Sequence, residues 1–356
     1  MTISFVIAAY NLERYIDACV DSVLQSLAIG DEVIIVNDGS TDGTRLKLTQ
    51  VQQRSTLVKV IDKQNGGVAS TRNTGLAAAS KDYVLFLDGD DVVRPESIRL
   101  ARQHLERQAP DILVMDYLDW ADDGRGALTP SRKRSHGPLE MSSSPARNLY
   151  ETLDDCIPCL WSRFIKRSVF QALPHPPFPE WGMHEDLATT PHIVASARTL
   201  LYVPSHLLQY RLRAGGQTKE RSERSCTDTI QAAAHASQSI QRLPPDPQLA
   251  LMADVFMARK LLEAIRQCRE VRNPTYALYA AITHRSLAAM TSKPDAVLDW
   301  LSASPRPEDR AARAHLVNAF RWPRGYALLQ GTLGILKAKR LALRRRRSSP
   351  EYVRHD

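Results

Sequence analysis

The sequence has few cysteines and no long apolar run. Its five cysteines are scattered along 356 residues, and because their number is odd they cannot all pair within the chain. Cys156 and Cys159 have the CxxC spacing, but no second pair and no histidine pair follows at zinc-ligand spacing. We therefore expect reduced thiols there. No run approaches the roughly 18 consecutive apolar residues of a membrane-spanning helix.

The amino-terminal stretch also lacks the pattern of a secretory signal. Residues 1–11, MTISFVIAAYN, have no basic segment before the apolar residues and become polar at once, so they predict a first β-strand. Together with the lack of a spanning run, this pattern predicts a cytoplasmic protein. The composition, with 43% apolar and 24% charged residues, is that of a globular protein.

Positive charge is concentrated in the last residues. The chain has a net charge of +8, and residues 321–356 contain ten Lys/Arg against two Asp/Glu, so the preceding chain is formally neutral. If these residues are helical, Leu333, Ile335, Leu336 and Leu341 form an apolar strip beside a basic face, which suits an anionic membrane surface. A disordered solubilising tail explains the composition equally well. Nucleic acid is not expected as a partner, because no groove-reading or aromatic-interleaved motif accompanies the arginines.

The first hundred residues alternate strand and helix patterns. The apolar runs ISFVIAAY, EVIIVN, LVKVID and YVLFLD predict buried strands, and segments with helical spacing of apolar residues separate them. Continuous apolar strands joined by helices predict an α/β fold with a mostly parallel central sheet flanked by helices. Ligands bind outside the carboxyl ends of such strands, so the polar loops that follow them are expected to gather at one edge.

Later segments complete the domain organisation. LWSRFIKRSVFQAL predicts a helix, EDLATTPHIVASA another helix, and TLLYVPSHLLQYRLR a pair of strands, while the Gly/Pro/Ser-rich segment after residue 120 predicts a loop or hairpin. The Ala/Leu/Arg-rich chain beyond residue 226 has helical spacing. We therefore expect three parts: a domain over residues 1–220, a helical C-terminal domain over 227–320 and a basic tail over 321–356.

Three carboxylates follow the run YVLFLD within four positions. Asp88, Asp90 and Asp91 would repel one another unless a cation or hydrogen-bond donors lie between them. Few hard oxygen ligands suit Mg²⁺ or Mn²⁺, which keep positions open for substrate phosphates. We therefore expect a divalent cation that holds a diphosphate leaving group here. The alternative is a solvated turn in which Asp91 caps the next helix.

Two further loops carry weaker signals. Asp38, in the loop VNDGSTDGT, can accept a hydrogen bond from the ring N–H of a nucleotide base, although the loop is also rich in turn and cap residues. Arg72 follows a glycine pair on a predicted helix, where its guanidinium can clamp a diphosphate or a ribose. A surface arginine is the alternative for that position.

The motif HED begins a predicted helix about one hundred residues after Asp88. Glu185 and Asp186 stabilise the first turn of a helix through its dipole, which is a sufficient structural reason for them. In the functional interpretation, one of them is the general base that deprotonates an acceptor hydroxyl. Trp181 offers a ring face on which a sugar can stack, or it packs in the core.

In this order, the motifs resemble those of the family 2 glycosyltransferases, inverting enzymes of the GT-A fold. The resemblance runs from Ile3 to about Thr218, and the order and spacing of its motifs are together specific. The motifs are FVIAAYN, VIIVNDGSTDGT, NGGVASTRNTGL, YVLFLDGDD, WSRFIKRSVF, HEDL and YRLRAGGQT. The chain departs from the family pattern at Asn37, where Asp is common, and at residues 216–218, where a Ser-containing version is usual.

The resemblance implies how a nucleotide sugar is bound. Backbone around Ala8 and Tyr10, together with the Asp38 carboxylate, would hold the base, usually uracil. Arg72 would lie near the ribose or the diphosphate. Asp88 would contact the ribose and metal-bound waters.

The resemblance also implies the catalytic groups. Asp90 would bind Mn²⁺ or Mg²⁺ directly, and Asp186 would be the catalytic base. Contacts with the acceptor or the diphosphate are expected from Trp181, His184, Glu185 and Arg211.

The resulting hypothesis is a metal-dependent inverting glycosyltransferase. It would move a sugar from a nucleotide sugar, most simply a UDP-sugar, to a hydroxyl of a growing surface glycan, free or lipid-linked, such as capsule, lipopolysaccharide or exopolysaccharide. Membrane contact through the basic tail would place it on the inner face of the plasma membrane. Two alternatives stay open. One is a non-catalytic nucleotide-sugar or glycan-binding module, and the other is a nucleotidyltransferase, whose usual Gly-rich, Lys-bearing phosphate loop is missing.

Overall fold

The computed structural model describes most of the chain. The described residues are 1–121, 128–130, 140–155, 159–212, 222–271, 275–321, 326, 329, 330 and 333. The chain divides into two compact units, Met1–Gly216 and Gln217–Asp356. Of the predicted features, Cys156, the segment 216–218 and the apolar strip of the basic tail, apart from Leu333, lie outside the described residues.

Among the residues described for it, the first unit is built on one ten-stranded sheet. In chain order its strands are β1 Ile3–Ala9, β2 Glu32–Asn37, β3 Val58–Asp62, β4 Tyr83–Asp88, β5 Val92–Val93, β6 Ile112–Ala121, β7 Leu128–Pro130, β8 Glu140–Ser142, β9 Arg163–Lys166 and β10 Leu200–Leu212. The order across the sheet is β3-β2-β1-β4-β9-β6-β10-β5, with β7 beside β6 and β8 beside β10.

Strands β1 to β4 form the parallel half of this sheet. β1 pairs in parallel with β2 and β4, and β2 pairs in parallel with β3. The apolar residues of β1, β2 and β4 are buried on both faces, which explains why their sequences are continuous apolar runs. This arrangement confirms the predicted α/β fold and brings the carboxyl ends of these strands to one edge.

The sheet is mixed beyond β4, and the predicted helix over LWSRFIKRSVFQAL is wrong. Its middle is the strand β9, which lies between β4 and β6 and is antiparallel to both. A 3-10 helix, Arg167–Ala172, follows it. Short apolar runs do not distinguish a strand from a helix by periodicity alone, and here pairing with two neighbouring strands decides the conformation.

The predicted strand pair over TLLYVPSHLLQYRLR is one long strand, β10. It runs parallel to β6, and its register shifts between Val203 and His206 and again before Leu208. The first shift falls at Pro204, which has no N–H to donate to the neighbouring strand. The bulge therefore lets one strand continue to the edge where β1 and β4 end.

The described residues of the first unit form six α-helices around the sheet: α1 Ile16–Leu24, α2 Thr44–Arg54, α3 Gly67–Ala78, α4 Pro95–Gln108, α5 Pro145–Asp155 and α6 Glu185–Ser196. One core face of the sheet packs against apolar residues of α1, α2 and α4. α3 packs on the opposite face, against β1 and β2. The predictions contain no helix at α5, which packs against α6.

The described part of the second unit is helical, as predicted. Its helices are α7 Glu223–Ser237, α8 Pro247–Cys268, α9 Tyr276–Ala289, α10 Pro294–Ala303 and α11 Pro307–Arg321. α8 is buried along most of its length and packs against α7, α9, α10 and α11. Among the residues described in both units, no helix is both long and apolar enough to cross a membrane.

Gly75 gives a test of the packing between α3 and the sheet. A Cβ at this buried position would lie 2.3 Å from Val6 Cγ1 and 3.5 Å from Val36 Cγ2. We expect Gly75→Ala to lower the free energy of unfolding by about 1–3 kcal/mol through overpacking, although Ala is the better helix former. Urea unfolding followed by circular dichroism measures the change.

Gly43→Ala is the matched control for this substitution. Its Cβ would meet only the end of the Glu13 side chain, which is exposed and can move. Because Gly43 is the N-cap of α2, where Ala is disfavoured, we expect a loss of at most about 1 kcal/mol for Gly43→Ala and a larger loss for Gly75→Ala. Equal stability of the two variants would show that α3 has room to move away from the sheet.

Candidate active site

The ends of β1 and β4 meet at the edge predicted to bind ligands. Ala8 is in register with Asp88 and also with Val36 of β2. The Gly89 N–H donates to the Ala8 carbonyl at 3.0 Å, and a Cβ at Gly89 would lie 2.9 Å from that same oxygen. Only glycine allows so close an approach, which places the DGDD loop directly beside β1. Tyr10 follows β1 and is 41% exposed.

Asp38 is buried and binds the loop that precedes α3. Its Oδ1 accepts from Lys63 Nζ at 2.7 Å and from the Gly66 N–H at 2.9 Å, and its Oδ2 accepts from the Gly67 N–H at 2.8 Å. These bonds orient the NGG loop and therefore the start of α3. The predicted contact of Asp38 with a nucleotide base stays a prediction, and Oδ2 is the less occupied oxygen for it.

Arg72 joins the two acidic motifs of the sequence. It is buried in α3, its Nη2 binds Asp88 Oδ1 at 3.0 Å, and its Nη1 binds Glu185 Oε1. Burial by itself would lower the pKa of Arg72, but Glu185 and Asp88 outweigh it and raise the pKa above its usual value. The guanidinium therefore stays charged and holds the first turn of α6 beside the end of β4.

Glu185 and Asp186 occupy different environments. Glu185 is buried, and its burial raises its pKa to about 7 although the Arg72 guanidinium opposes this shift. Asp186 is half-buried, and its Oδ1 accepts from the Leu187 N–H at 2.6 Å. Glu185 thus forms a buried ion pair with Arg72, whereas Asp186 is the more accessible of the two carboxylates. His184, which precedes them, is half-buried and has a left-handed backbone with φ 67°.

Arg211 supports the DGDD loop from β10. Its backbone N–H donates to Asp91 Oδ1 and its Nε donates to the Asp90 carbonyl, both at 2.8 Å. The guanidinium carbon lies 3.8 Å from the centroid of the Trp120 ring and 4.9 Å from that of Tyr15. These contacts fix the backbone of the loop and place a positive charge beside its carboxylates.

Two features of the structure reduce the repulsion between the carboxylates of the DGDD loop. Asp88 is neutralised by Arg72, while Asp91 is buried, and its pKa is raised by that burial and then by the charges of Asp90 and Asp88. Asp91 is therefore held toward its neutral form. The DGDD loop thus avoids three adjacent negative charges before any ligand binds.

The DGDD loop fits a divalent cation that takes most of its ligands from substrate. Asp88 and Asp90 are half-buried carboxylates at the strand end, and Asp91 Oδ2 is a buried oxygen with no hydrogen-bond partner among the described residues. No group of three or more His, Cys, Asp or Glu that could hold a metal occurs in the described part of the chain. Mg²⁺ and Mn²⁺ do not need such a cage, because they bind through one or two carboxylates with phosphates and water. Metal binding at Asp90 stays a prediction.

Asn73 anchors the segment that leads to α6. Its Nδ2 donates to the Phe178 carbonyl at 2.8 Å and its Oδ1 accepts from the Phe178 N–H at 3.0 Å. Trp181, three residues further on, is half-buried. α3 therefore positions this segment through two consecutive residues, Arg72 and Asn73, of which the sequence analysis singled out only the first. The stacking of a sugar on Trp181 stays a prediction.

An aromatic cluster adjoins the acidic residues and was missed by the sequence analysis. The rings of Trp161 and Tyr210 are stacked with centroids 5.1 Å apart, and Tyr117 meets Trp161 edge to face at 4.4 Å. Burial and then the charges of Asp88, Asp91 and Asp90 raise the pKa of Tyr210, so the cluster lies close to the DGDD loop. The WSRF motif could have indicated this cluster, but because its segment was predicted as a helix, the position of Trp161 was not predicted.

The pairing of Arg72 with Glu185 predicts a pH-dependent loss of stability. Burial raises the folded-state pKa of Glu185 to about 7, well above the ordinary value of a glutamate, so protonation of Glu185 favours the folded state and stability falls as the pH rises through this range. Without Arg72, ionised Glu185 and Asp88 would stay uncompensated. We expect Arg72→Gln to cost about 3–5 kcal/mol of unfolding free energy at pH 8 and clearly less at pH 5.5.

Urea unfolding at these two pH values measures the effect. Arg45→Gln is the matched control, since it breaks an Arg45–Asp62 pair whose side chains are 46% and 44% exposed. Such pairs contribute about 0–1 kcal/mol. An Arg72→Gln penalty equal at both pH values would contradict the compensating role assigned to Arg72.

Comparison with known proteins agrees with this architecture. Residues 4–173 match the model of Glycosyl transferase family 2. Glycosyltransferase GlyA of Streptococcus pneumoniae serotype 4 is 25% identical over 226 residues, which cover 62% of this chain and 32% of that protein. The uncharacterized glycosyltransferase EpsJ of Bacillus subtilis is 33% identical over 128 residues, 36% of this chain and 37% of that protein. The chain thus spans about a third of the length of these two relatives.

A solved structure shares the fold over most of the chain. The crystal structure of S. aureus TarS 1–349 in complex with UDP-GlcNAc superposes with a TM-score of 0.62 and 18% identity, covering 90% of this chain and 92% of that one. At this identity the likeness concerns the fold alone. Residues 4–173, just under half of the chain, thus match glycosyl transferase family 2, and the chain shares the GT-A fold of TarS.

Proposed function

We propose that this protein transfers a sugar from a nucleotide sugar to an acceptor hydroxyl with inversion of configuration. The observation that carries the proposal is the buried Arg72, which binds Asp88 of the DGDD loop and Glu185 of the HED motif. Through it, an acidic strand end suited to a diphosphate and a helix that bears an accessible carboxylate share one edge of the sheet. A binding module would need the first of these groups but not the second.

The donor is proposed to bind along the ends of β1, β2 and β4. Ala8, Tyr10 and Asp38 border the position for the base, and Asp88 borders that for the ribose. UDP-GlcNAc is the ligand of the TarS structure with the same fold, which favours a UDP-sugar here. Asp90, with Asp88, would hold Mn²⁺ or Mg²⁺, which when bound supplies positive charge to the departing diphosphate.

Asp186 is proposed as the general base. Its Oδ1 accepts from the Leu187 N–H, and Oδ2 is the oxygen proposed to take the proton of an acceptor hydroxyl. As the oxygen of the acceptor hydroxyl attacks the anomeric carbon, the bond from that carbon to the diphosphate breaks on the opposite side. A single displacement inverts the configuration, so an α-linked donor gives a β-linked product. Glu185, bound to Arg72, positions α6 and takes no proton from the acceptor.

In this mechanism Arg211 is proposed to position the DGDD loop. The sequence predicted a contact with the acceptor or the diphosphate, but its Nε binds the Asp90 carbonyl and its guanidinium lies against the Trp120 ring. We assign it to holding the DGDD loop in a rigid conformation, with its charge as a secondary contribution near the phosphates. Rigid placement of such groups is a general requirement of electrostatic catalysis.

The acceptor is proposed to be a glycan. Chondroitin synthase of Pasteurella multocida is 39% identical over 98 residues, 28% of this chain and 10% of that protein, and its name describes synthesis of a polysaccharide. A growing surface glycan, free or lipid-linked, is the proposed acceptor class. The aromatic cluster of Tyr117, Trp161 and Tyr210 borders the edge at which this acceptor would enter.

Asp186→Asn tests the assignment of the base. We expect transfer to fall by about 10²–10⁴-fold because the amide cannot accept the proton, while binding of the nucleotide sugar stays within a few-fold of the original. Product formation and calorimetric UDP binding are measured in parallel. Asp17→Asn, the same change in a surface ion pair of α1, is the matched control. Unchanged transfer by Asp186→Asn would remove Asp186 from the mechanism.

A donor panel tests the activity and its metal requirement together. The purified protein is incubated with UDP- and GDP-sugars plus Mn²⁺, and release of UDP or GDP is followed. We expect release from at least one UDP-sugar, its loss on addition of EDTA, and its recovery with excess Mn²⁺ or Mg²⁺. Full activity in EDTA would refute the metal proposal, and the absence of both release and UDP binding would refute the donor assignment.

A further inference from the structure

The end of β1 binds the loops on both of its sides. The Ala8 carbonyl accepts from the Gly89 N–H of the DGDD loop, and the next carbonyl, that of Ala9, accepts from the Asp38 N–H at 2.9 Å. Asp38 belongs to the loop after β2, residues 38–43. The last two residues of β1 thus hold the backbone of both loops that are proposed to bind the donor.

Asn11 extends these contacts beyond the end of the strand. Its backbone N–H donates to Ser40 Oγ at 3.0 Å, and its side-chain Oδ1 accepts from the Thr41 N–H at 2.8 Å. One half-buried residue therefore binds two consecutive residues of the loop after β2, which follow it by 29 and 30 positions in the sequence.

The backbone of Asn11 has an unusual conformation. Its φ of 53° lies in the left-handed region, which among the described residues other than glycine also contains Ala109 and His184. Asparagine tolerates this region better than most residues do, but glycine adopts it with less strain. Glycine could not accept the hydrogen bond from Thr41, so asparagine is the residue type that combines this turn with that bond. Strained backbone held by its surroundings is often found at functional sites.

Two further bonds continue from Asn11 along the same loop. The Leu12 N–H donates to Thr44 Oγ1 at 2.7 Å, and the Glu13 N–H donates to Asp42 Oδ2 at 3.1 Å. The parallel pairing of β1 with β2 ends at residues 9 and 37, so all of these bonds lie beyond the sheet. We call residues 11–13 and 40–44, joined in this way, the β1–β2 clasp.

The β1–β2 clasp lies next to the position proposed for the nucleotide base. Tyr10 stands between Ala9 and Asn11, and both of these neighbours bind the loop after β2. The backbone of Tyr10 is therefore fixed on both sides while its side chain stays 41% exposed. A ring that is held in place before binding loses less conformational freedom when a base packs on it.

We propose that Asn11 is a positioning residue for the nucleotide of the donor. The proposal rests on the proposed function, since it takes the base to bind beside Tyr10 and Asp38. Asn11 acts without touching the substrate, because its bonds to Ser40 and Thr41 hold Tyr10 and the loop after β2 in their places. The proposed metal ligand and the proposed general base lie on other elements, the DGDD loop and α6. Loss of the β1–β2 clasp is therefore expected to weaken nucleotide binding and to spare the chemical step.

Three substitutions of Asn11 separate the side-chain bond from the backbone conformation. Asn11→Ala removes Oδ1 and strains the left-handed turn, Asn11→Gly removes Oδ1 without strain, and Asn11→Asp keeps an acceptor oxygen for the Thr41 N–H. Calorimetry with UDP and Mn²⁺ measures the affinity of each full-length variant. We expect UDP binding to weaken about tenfold in the Ala and Gly variants and to stay within about threefold of the original in the Asp variant. Asn318→Ala, which removes a side-chain bond to the Ala314 carbonyl at an exposed position of α11, is the matched control and should bind UDP unchanged.

Kinetics distinguish positioning from a general loss of structure. With the UDP-sugar that releases UDP in the donor panel, Asn11→Gly should raise KM about as much as it weakens UDP binding, while kcat stays within about twofold of the original. A purely structural defect would reduce the amount of active protein and hence the apparent kcat, and Asn11→Asp would not correct it. Urea unfolding verifies that each variant is folded at the assay temperature, and Asn11→Gly decides if Asn11→Ala is not.

Two results would overturn the positioning role alone. One is UDP binding by folded Asn11→Gly that equals that of the original protein, and the other is a fall in kcat with no change in KM. Failure of the proposed function gives a different result, because the unsubstituted protein would then not bind UDP, and the donor assignment and the role of Asn11 would be refuted together. If the original protein binds UDP but transfers no sugar, the comparison of UDP affinities still decides the role of Asn11.

Discussion

The burial of Arg72 is the constraint on which the arrangement of the candidate site depends. A guanidinium with 5% side-chain exposure needs compensating carboxylates, and it obtains them from Asp88 and Glu185. These partners lie 16 and 113 positions away in the sequence. The pairing therefore ties the first turn of α6 to the end of β4, and Asp186 is held at that edge because it follows Glu185 on the same turn.

The negative charges of the candidate site are compensated within the protein before any ligand binds. Arg72 balances Asp88, Arg211 lies against Asp90 and Asp91, and Asp91 is held toward its neutral form by burial. Hydrogen bonds to backbone and neighbouring groups thus maintain a loop that would otherwise be strained by repulsion. Such prior arrangement lets charged groups act on a substrate without further reorganisation. The same distribution explains why the carboxylates of this loop tolerate their close spacing.

Several parts of the fold and site could be predicted from local patterns, and others could not. Continuous apolar runs predicted β1 to β4, and helical spacing predicted α1 to α3 and α6. β9 was predicted as a helix because RFIK is too short to carry a period, and Trp161 was misplaced with it. The internal bonds of Asp38 and the role of Asn73 had no local signal, since their partners lie 25 to 29 and about 105 residues away.

The sequence by itself determined the α/β class, the polar loops at the strand ends and the residue types available for chemistry there. These properties depend on local periodicity and on the order of motifs, which a single chain displays directly. Only the tertiary structure decided that Arg72 binds Glu185 and leaves Asp186 accessible, and that Arg211 supports the DGDD loop. Each of these outcomes depends on burial and on contacts between distant segments, and both arise only when the sheet and its helices pack together.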